Sequence, residues 1–63
     1  MTLPEAVKAM GNGCIRQTSD PVNIYKKCGR NNQILCRVHP DGTLMTRSML
    51  VEEILAENWE IIR

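Results

Sequence analysis

VNIYKKCGRNNQILCRVHPDGTLMTR, residues 22–47, is the stretch on which the fold turns. Residues 22–28 alternate, with Val22, Ile24 and Cys28 set against Asn23, Tyr25 and Lys27, and Lys26 as the one polar intruder on the apolar side. Residues 33–39 alternate again: Ile34, Cys36 and Val38 face one way, and Leu35, Arg37 and His39 the other. Period-two alternation is the mark of a strand whose two faces meet different surroundings. Between the two runs, GRNN is a turn cluster. After them, PDGT carries the Asp-Gly pair that hairpins favour, and TLMTR returns as the partner strand. Turn residues recurring every eight to ten positions predict an antiparallel meander rather than a parallel sheet.

Outward from that centre the flanks read differently. On the N-terminal side, CIRQT (14–18) predicts one more strand, broken by SDP. TLPEAVKAMGNG (2–13) predicts a short helix. Thr2 and Glu5 have capping-box spacing, Pro4 sits in the first turn where its missing donor costs nothing, and Leu3, Ala6, Val7 and Met10 form one apolar stripe. Gly11 and Gly13 then supply the left-handed backbone that ends helices. On the C-terminal side, Ser48 caps a second expected helix running to about Glu57, with Leu50, Ile54 and Leu55 inward. Past Asn58, WEII puts Trp59 and Ile61 on one side of a last strand, where the single Trp can seal the gap between helix and sheet. The expected fold is a single small α+β domain over residues 1–63: N-terminal helix, antiparallel β-meander, short second helix, final strand.

Composition limits what such a chain can do. Its 63 residues are 43% hydrophobic but only 3% aromatic. Domains of this size bury only about 60% of the surface their unfolded chains expose, and burial barely offsets ordering entropy. Self-association, as a dimer or tetramer, is the expected remedy. Three cysteines, an odd number, and a start unlike a secretion signal point to reduced thiols and a cytoplasmic setting. No segment has the roughly 18 apolar residues of a membrane span, so no membrane partner is expected. The net charge of +1 draws no nucleic-acid polymer. The charge is unevenly placed, however: residues 1–47 hold seven Lys/Arg against three Asp/Glu, and residues 48–63 hold four Glu against Arg63. Such asymmetry suits an anionic ligand on one face or head-to-tail contact between copies, or simply a solvated surface.

Chemical constellations are sparse. Cys14, Cys28, Cys36 and His39 are the right atoms for zinc, but only Cys36-x-x-His39 is close to a knuckle, and strand residues three apart point to opposite faces. Small buried apolar cysteines are the better reading. His39 lacks a nucleophile, Asp41 belongs to its turn, and no phosphate loop or hydrolase elbow occurs. No enzyme activity and no cofactor are expected. YKKCGRNN does place Lys26, Lys27 and Arg30 beside Tyr25, pairing a ring that can stack with cations that can meet phosphate. With one Tyr and one Trp, a small nucleotide is easier to accommodate than a long strand.

The two ends together resemble a known family. MTLPEAVKAMGNG is similar to the N-terminal M-T-[apolar]-x-E-A-[apolar]-x-A pattern of the phage proteins called Thoeris anti-defence type two, and ILAENWEII is similar to their closing [apolar]-L-A-x-[acid/Asn]-W-x-[apolar] segment. The resemblance implies a small α+β subunit that forms a homotetramer and sequesters cyclic nucleotide-type immune signals, notably cyclised ADP-ribose derivatives, in pockets between subunits. It also implies an alternative, since some relatives inhibit CRISPR nucleases; a host defence protein is then the partner. Arg16 matches an Arg of the family's first strand, although QTSD follows it here instead of Trp-Asn, and the chain is shorter than most members. Arg16 and Tyr25 are therefore the leading ligand-binding candidates, with Asn23, Lys27 and Arg30 behind them. Against this, Arg16 can equally pair with a Glu, and Tyr25 can fill the sheet's outer face.

Overall fold

The computed structural model describes residues 1–62. Helix α1 (Leu3–Ala9) starts as its sequence dictates. Thr2 Oγ1 accepts from the Glu5 N–H at 3.4 Å, and Glu5 Oε1 accepts from the Thr2 N–H at 2.8 Å, so two orphan donors are satisfied reciprocally. Those bonds, the backbone donor first, hold the Glu5 carboxyl below its ordinary range. Gly11, at φ +54°, turns the chain out of the helix. Ala6 and Met10 are buried, with Leu3 and Val7 packed beside them, so the expected apolar stripe is the one used.

The sheet has five strands, β1 (Cys14–Gln17), β2 (Asp20–Cys28), β3 (Ile34–Val38), β4 (Leu44–Thr46) and β5 (Trp59–Ile62), in the order β4-β3-β2-β1-β5. Every neighbouring pair is antiparallel. The fold is α+β, as expected. The break between β1 and β2 comes earlier than the sequence reading had it: Gln17 pairs with Asp20 across Thr18–Ser19, and Pro21 lies inside β2. It is tolerated because the β1–β2 register shifts between Ile15 and Gln17, and a proline with no donor fits such an irregular stretch. The PDGT hairpin forms as its residues demand. Asp41 Oδ1 accepts from the Thr43 N–H at 3.0 Å and its hydroxyl at 2.7 Å, and Gly42 takes φ +89°.

Two expectations about packing are overturned. The first concerns the faces. Ile15 and Tyr25 are Cα partners, and both are buried, at 0% and 1% exposure. The core therefore lies on the Tyr25 side of β2, with Leu35 beside it, and not on the side of Ile24, Val38 and Ile34. The bulkiest apolar groups of the sheet, Tyr25 and Trp59, project the same way as Ile15 and Ile61, and α1 packs where they are.

The second concerns helix α2, which spans only Val51–Leu55. Leu50, not Ser48, precedes it, and the three residues expected to point inward are exposed: Leu50 at 56%, Ile54 at 47% and Leu55 at 73%. The buried residue of this helix is Glu53. Polar pins set its rotation. The Trp59 indole N–H donates to the Glu53 carbonyl at 3.0 Å, and the Glu53 carboxylate is held beneath the helix.

Trp59 closes the core as its position in the sequence suggests. It is 2% exposed and meets Tyr25 edge to face, with ring centroids 5.8 Å apart. Its backbone exchanges two bonds with Met1: the Trp59 N–H donates to the Met1 carbonyl at 3.0 Å, and the N-terminal ammonium donates to the Trp59 carbonyl at 3.1 Å. The N-terminus is thus tied to the edge strand β5.

The cysteines also depart from expectation. Cys28 and Cys36, on adjacent strands with Cα atoms 6.1 Å apart, form a disulfide, so only Cys14 is a free thiol. Register explains the pairing. Cys28 pairs with Ile34 and Cys36 with Lys26, so the two cysteines are diagonal neighbours on one face. Among the described residues, no helix is long and apolar enough to cross a membrane.

Candidate functional site

Two polar groupings lie on the Tyr25 face. The first is built from β2, the end of β4 and α2. Tyr25 projects from β2 toward α2, where its hydroxyl donates to Glu53 Oε2 at 3.2 Å and accepts from Arg47 Nη1. Arg47 also donates to both Glu53 oxygens, at 3.3 and 3.1 Å, and the Leu50 N–H donates to Glu53 Oε1 at 2.8 Å. Burial pushes the Glu53 carboxyl up, but the Leu50 N–H and the Arg47 guanidinium outweigh it and hold the group below its ordinary range. Burial, reinforced by the Glu53 charge, pushes the Tyr25 phenol up. The hydrogen bond to Glu53 raises Arg47. Over this network opens a cleft of about 380 Å³, lined by Gln17, Ser19, Asp20, Arg47, Leu50, Glu52 and Glu53. With three carboxylates against one guanidinium, its charge is net negative.

The second grouping runs along β2 and β3. Asn23 Nδ2 donates to Asp20 Oδ2 at 2.6 Å, and Asn23 Oδ1 accepts from Arg37 Nε at 2.7 Å. Arg37 Nη1 lies 3.4 Å from His39 Nδ1, and His39 Nε2 lies 2.7 Å from Met45 Sδ. Arg37 is the Cα partner of Tyr25, so its stem starts beside the core while its guanidinium reaches Asn23 and the His39 ring. The ion pairs among the described residues are Arg16–Glu60 and Arg47–Glu53. Arg37 is half-buried, bonded to Asn23 and set against the His39 ring, and no carboxylate among the described residues pairs with it.

The five residues singled out from sequence do not converge. Arg16 lies on the opposite face from Tyr25 and pairs with Glu60 at 3.0 Å across β1 and β5. Asn23 is committed on both sides, to Asp20 and to Arg37. The stacking role expected of Tyr25 is corrected: its ring is 1% exposed, held between Trp59 and α2, and offers no open face to a base. Lys27 is half-buried on the Tyr25 face, opposite Leu35. Arg30 is exposed in the single turn of 3-10 helix over Arg30–Asn32.

Arg37, Arg47 and Glu53 were missed. Arg37 was legible in principle, because it alternates in phase with Leu35 and its hairpin register sets it opposite Tyr25. Arg47 and Glu53 were not, since each acquires its role from a helix rotation that no local pattern announces. Cys14, Cys28, Cys36 and His39 do not form one ligand set either, because Cys28 and Cys36 are joined to each other and the His39 ring is turned to Arg37 and Met45. Among the described residues, no cluster of three or more His, Cys, Asp or Glu is placed to hold a metal.

Comparison with family models, with curated proteins and with solved structures finds no match for the chain.

Proposed function

We propose that the chain is a non-catalytic binding protein that associates with copies of itself and sequesters a small nucleotide-type anion where the subunits meet. Such a role is expected of the phage anti-defence family that its two ends resemble. The observation that carries the reading is Arg37. A half-buried guanidinium bonded to Asn23 and set against the His39 ring, with no carboxylate partner among the described residues, is a cation still able to take a counter-ion. Lys27 lies on the same face, a diagonal neighbour of Arg37 in the strand register. Because the cleft beside Arg47 is net negative, the anion belongs at Arg37 and not in that cleft.

Titration calorimetry with cyclic mono- and dinucleotides and cyclised ADP-ribose isomers tests the proposal. At least one of them should release heat and raise the melting temperature, and Arg37→Ala should weaken that binding about tenfold or more, as loss of a charge-assisted contact does. No heat across the panel, or an undiminished response from Arg37→Ala, removes it.

The second reading is an inhibitor that binds a host defence protein. It is favoured by the outward apolar side of α2, where Leu55 is 73% exposed. It predicts a stable stoichiometric complex with that protein and no small ligand.

A further inference from the structure

Two surfaces of the subunit lack the partner their composition calls for. One is the face of the sheet away from both helices. Ile24, Val38 and Leu44 are Cα partners in a row across β2, β3 and β4, and Cys28 pairs with Ile34 beside them. Antiparallel sheets leave one face to water when that face is polar. This one is mostly apolar, with Leu44 at 45% and Ile34 at 47% exposure, and the exposed Lys26 stands in its middle between Cys14 and Cys36. The other surface is the outer side of α2. Leu50, Val51, Ile54 and Leu55, at positions i, i+1, i+4 and i+5, form one stripe, with exposures of 56%, 70%, 47% and 73%. Exposed Glu52 and Glu57 border it.

We infer that α2 of one copy docks on the helix-free sheet face of the next, a head-to-tail contact between identical chains. This rests on the self-association in the proposed function and names its surfaces. Charge complementarity commits the contact to a second copy: the stripe bordered by Glu52 and Glu57 meets a face whose charges are Lys26 and the Arg16–Glu60 ion pair, which leaves that face net positive. Layering agrees, because a sheet with helices on one face and an apolar opposite face is completed by a helix laid across it. Both surfaces occur once per chain, so each copy offers what its neighbour needs. A contact of this kind is heterologous. It closes into a ring if the rotation permits and otherwise extends.

Paired variants test it by complementation. Leu55→Asp damages the helix stripe, and the double variant Lys26→Glu/Leu44→Asp damages the sheet face. All three residues are exposed in the subunit, so folding should survive, as circular dichroism and Trp59 fluorescence will check. Light scattering and native mass spectrometry should find wild type assembled and each variant alone at the monomer mass of 7.2 kDa. An equimolar mixture should give a species of twice that mass, because each variant retains the surface the other has lost. If wild type assembles but the mixture stays monomeric, the head-to-tail contact is wrong while association stands. If wild type is itself monomeric at high concentration, both fall, and nucleotide titration then decides the Arg37 reading independently.

Discussion

Replacing Glu53 with Gln keeps the shape of the side chain and removes the charge that Arg47 and Tyr25 address. The carboxylate is 9% exposed and accepts from three groups, whereas Arg47 is 34% exposed and can recover water. The expected loss is therefore about 2 kcal/mol, toward the low side for breaking a buried pair. In a domain of this size that lowers the melting temperature by roughly 8–16 °C, measurable by calorimetry. A shift under 2 °C would mean that the carboxylate does not hold α2. Arg16 shows the contrasting case at this scale. Its ion pair with Glu60 is a third exposed on each side and belongs to a class that contributes little.

At the scale of elements, the disulfide ties β2 to β3 across a sequence separation of eight. Closing so short a loop restricts the unfolded chain by roughly 2–3 kcal/mol. Denaturant unfolding with and without a reducing agent should differ by that amount, and Cys28→Ser/Cys36→Ser should match the reduced wild type. Equal midpoints in both conditions would show that the link adds nothing to stability. Helix α1 and the PDGT hairpin were legible from sequence, because their capping and turn chemistry is local: Thr2 bonds Glu5, and Asp41 bonds Thr43. The rotation of α2 was not. Its apolar residues suggested an inward stripe, but a five-residue helix is too short for periodicity to outweigh the Glu53 and Trp59 bonds that fix it.

For the whole molecule, the ionised network sets a pH window. The folded Glu53 value lies below its ordinary 4.5, so its contribution is complete above that value and is lost as pH falls through the depressed folded value. Glu5 and Asp41, also lowered, deepen the same acid loss. The Tyr25 value lies above its ordinary 10.0, so its contribution is complete below that value and is lost as pH rises through the raised folded one. Stability measured through Trp59 fluorescence should therefore be flat between about pH 5 and 9 as far as these groups decide it, falling on both sides. A steady decline from pH 9 down to 5 would contradict the assignment. The proposed association predicts a further mark: the melting temperature should rise with protein concentration.

By itself, the sequence determined the kinds of elements and nearly all their places. Alternation, turn residues and caps act over a few positions and need nothing distant. The α+β class, the meander and the closing role of Trp59 follow from them. Only tertiary structure decided which side of each element is the inside. Alternation says that a strand has two faces but not which will be covered, and that choice fell to Tyr25 and Trp59 packing together under α1. With it went the candidate site: Tyr25 turned inward, Arg16 was carried to the far face, and Arg37 was left beside the core without a counter-charge. Those outcomes depend on contacts between residues far apart in the chain, which no local pattern encodes.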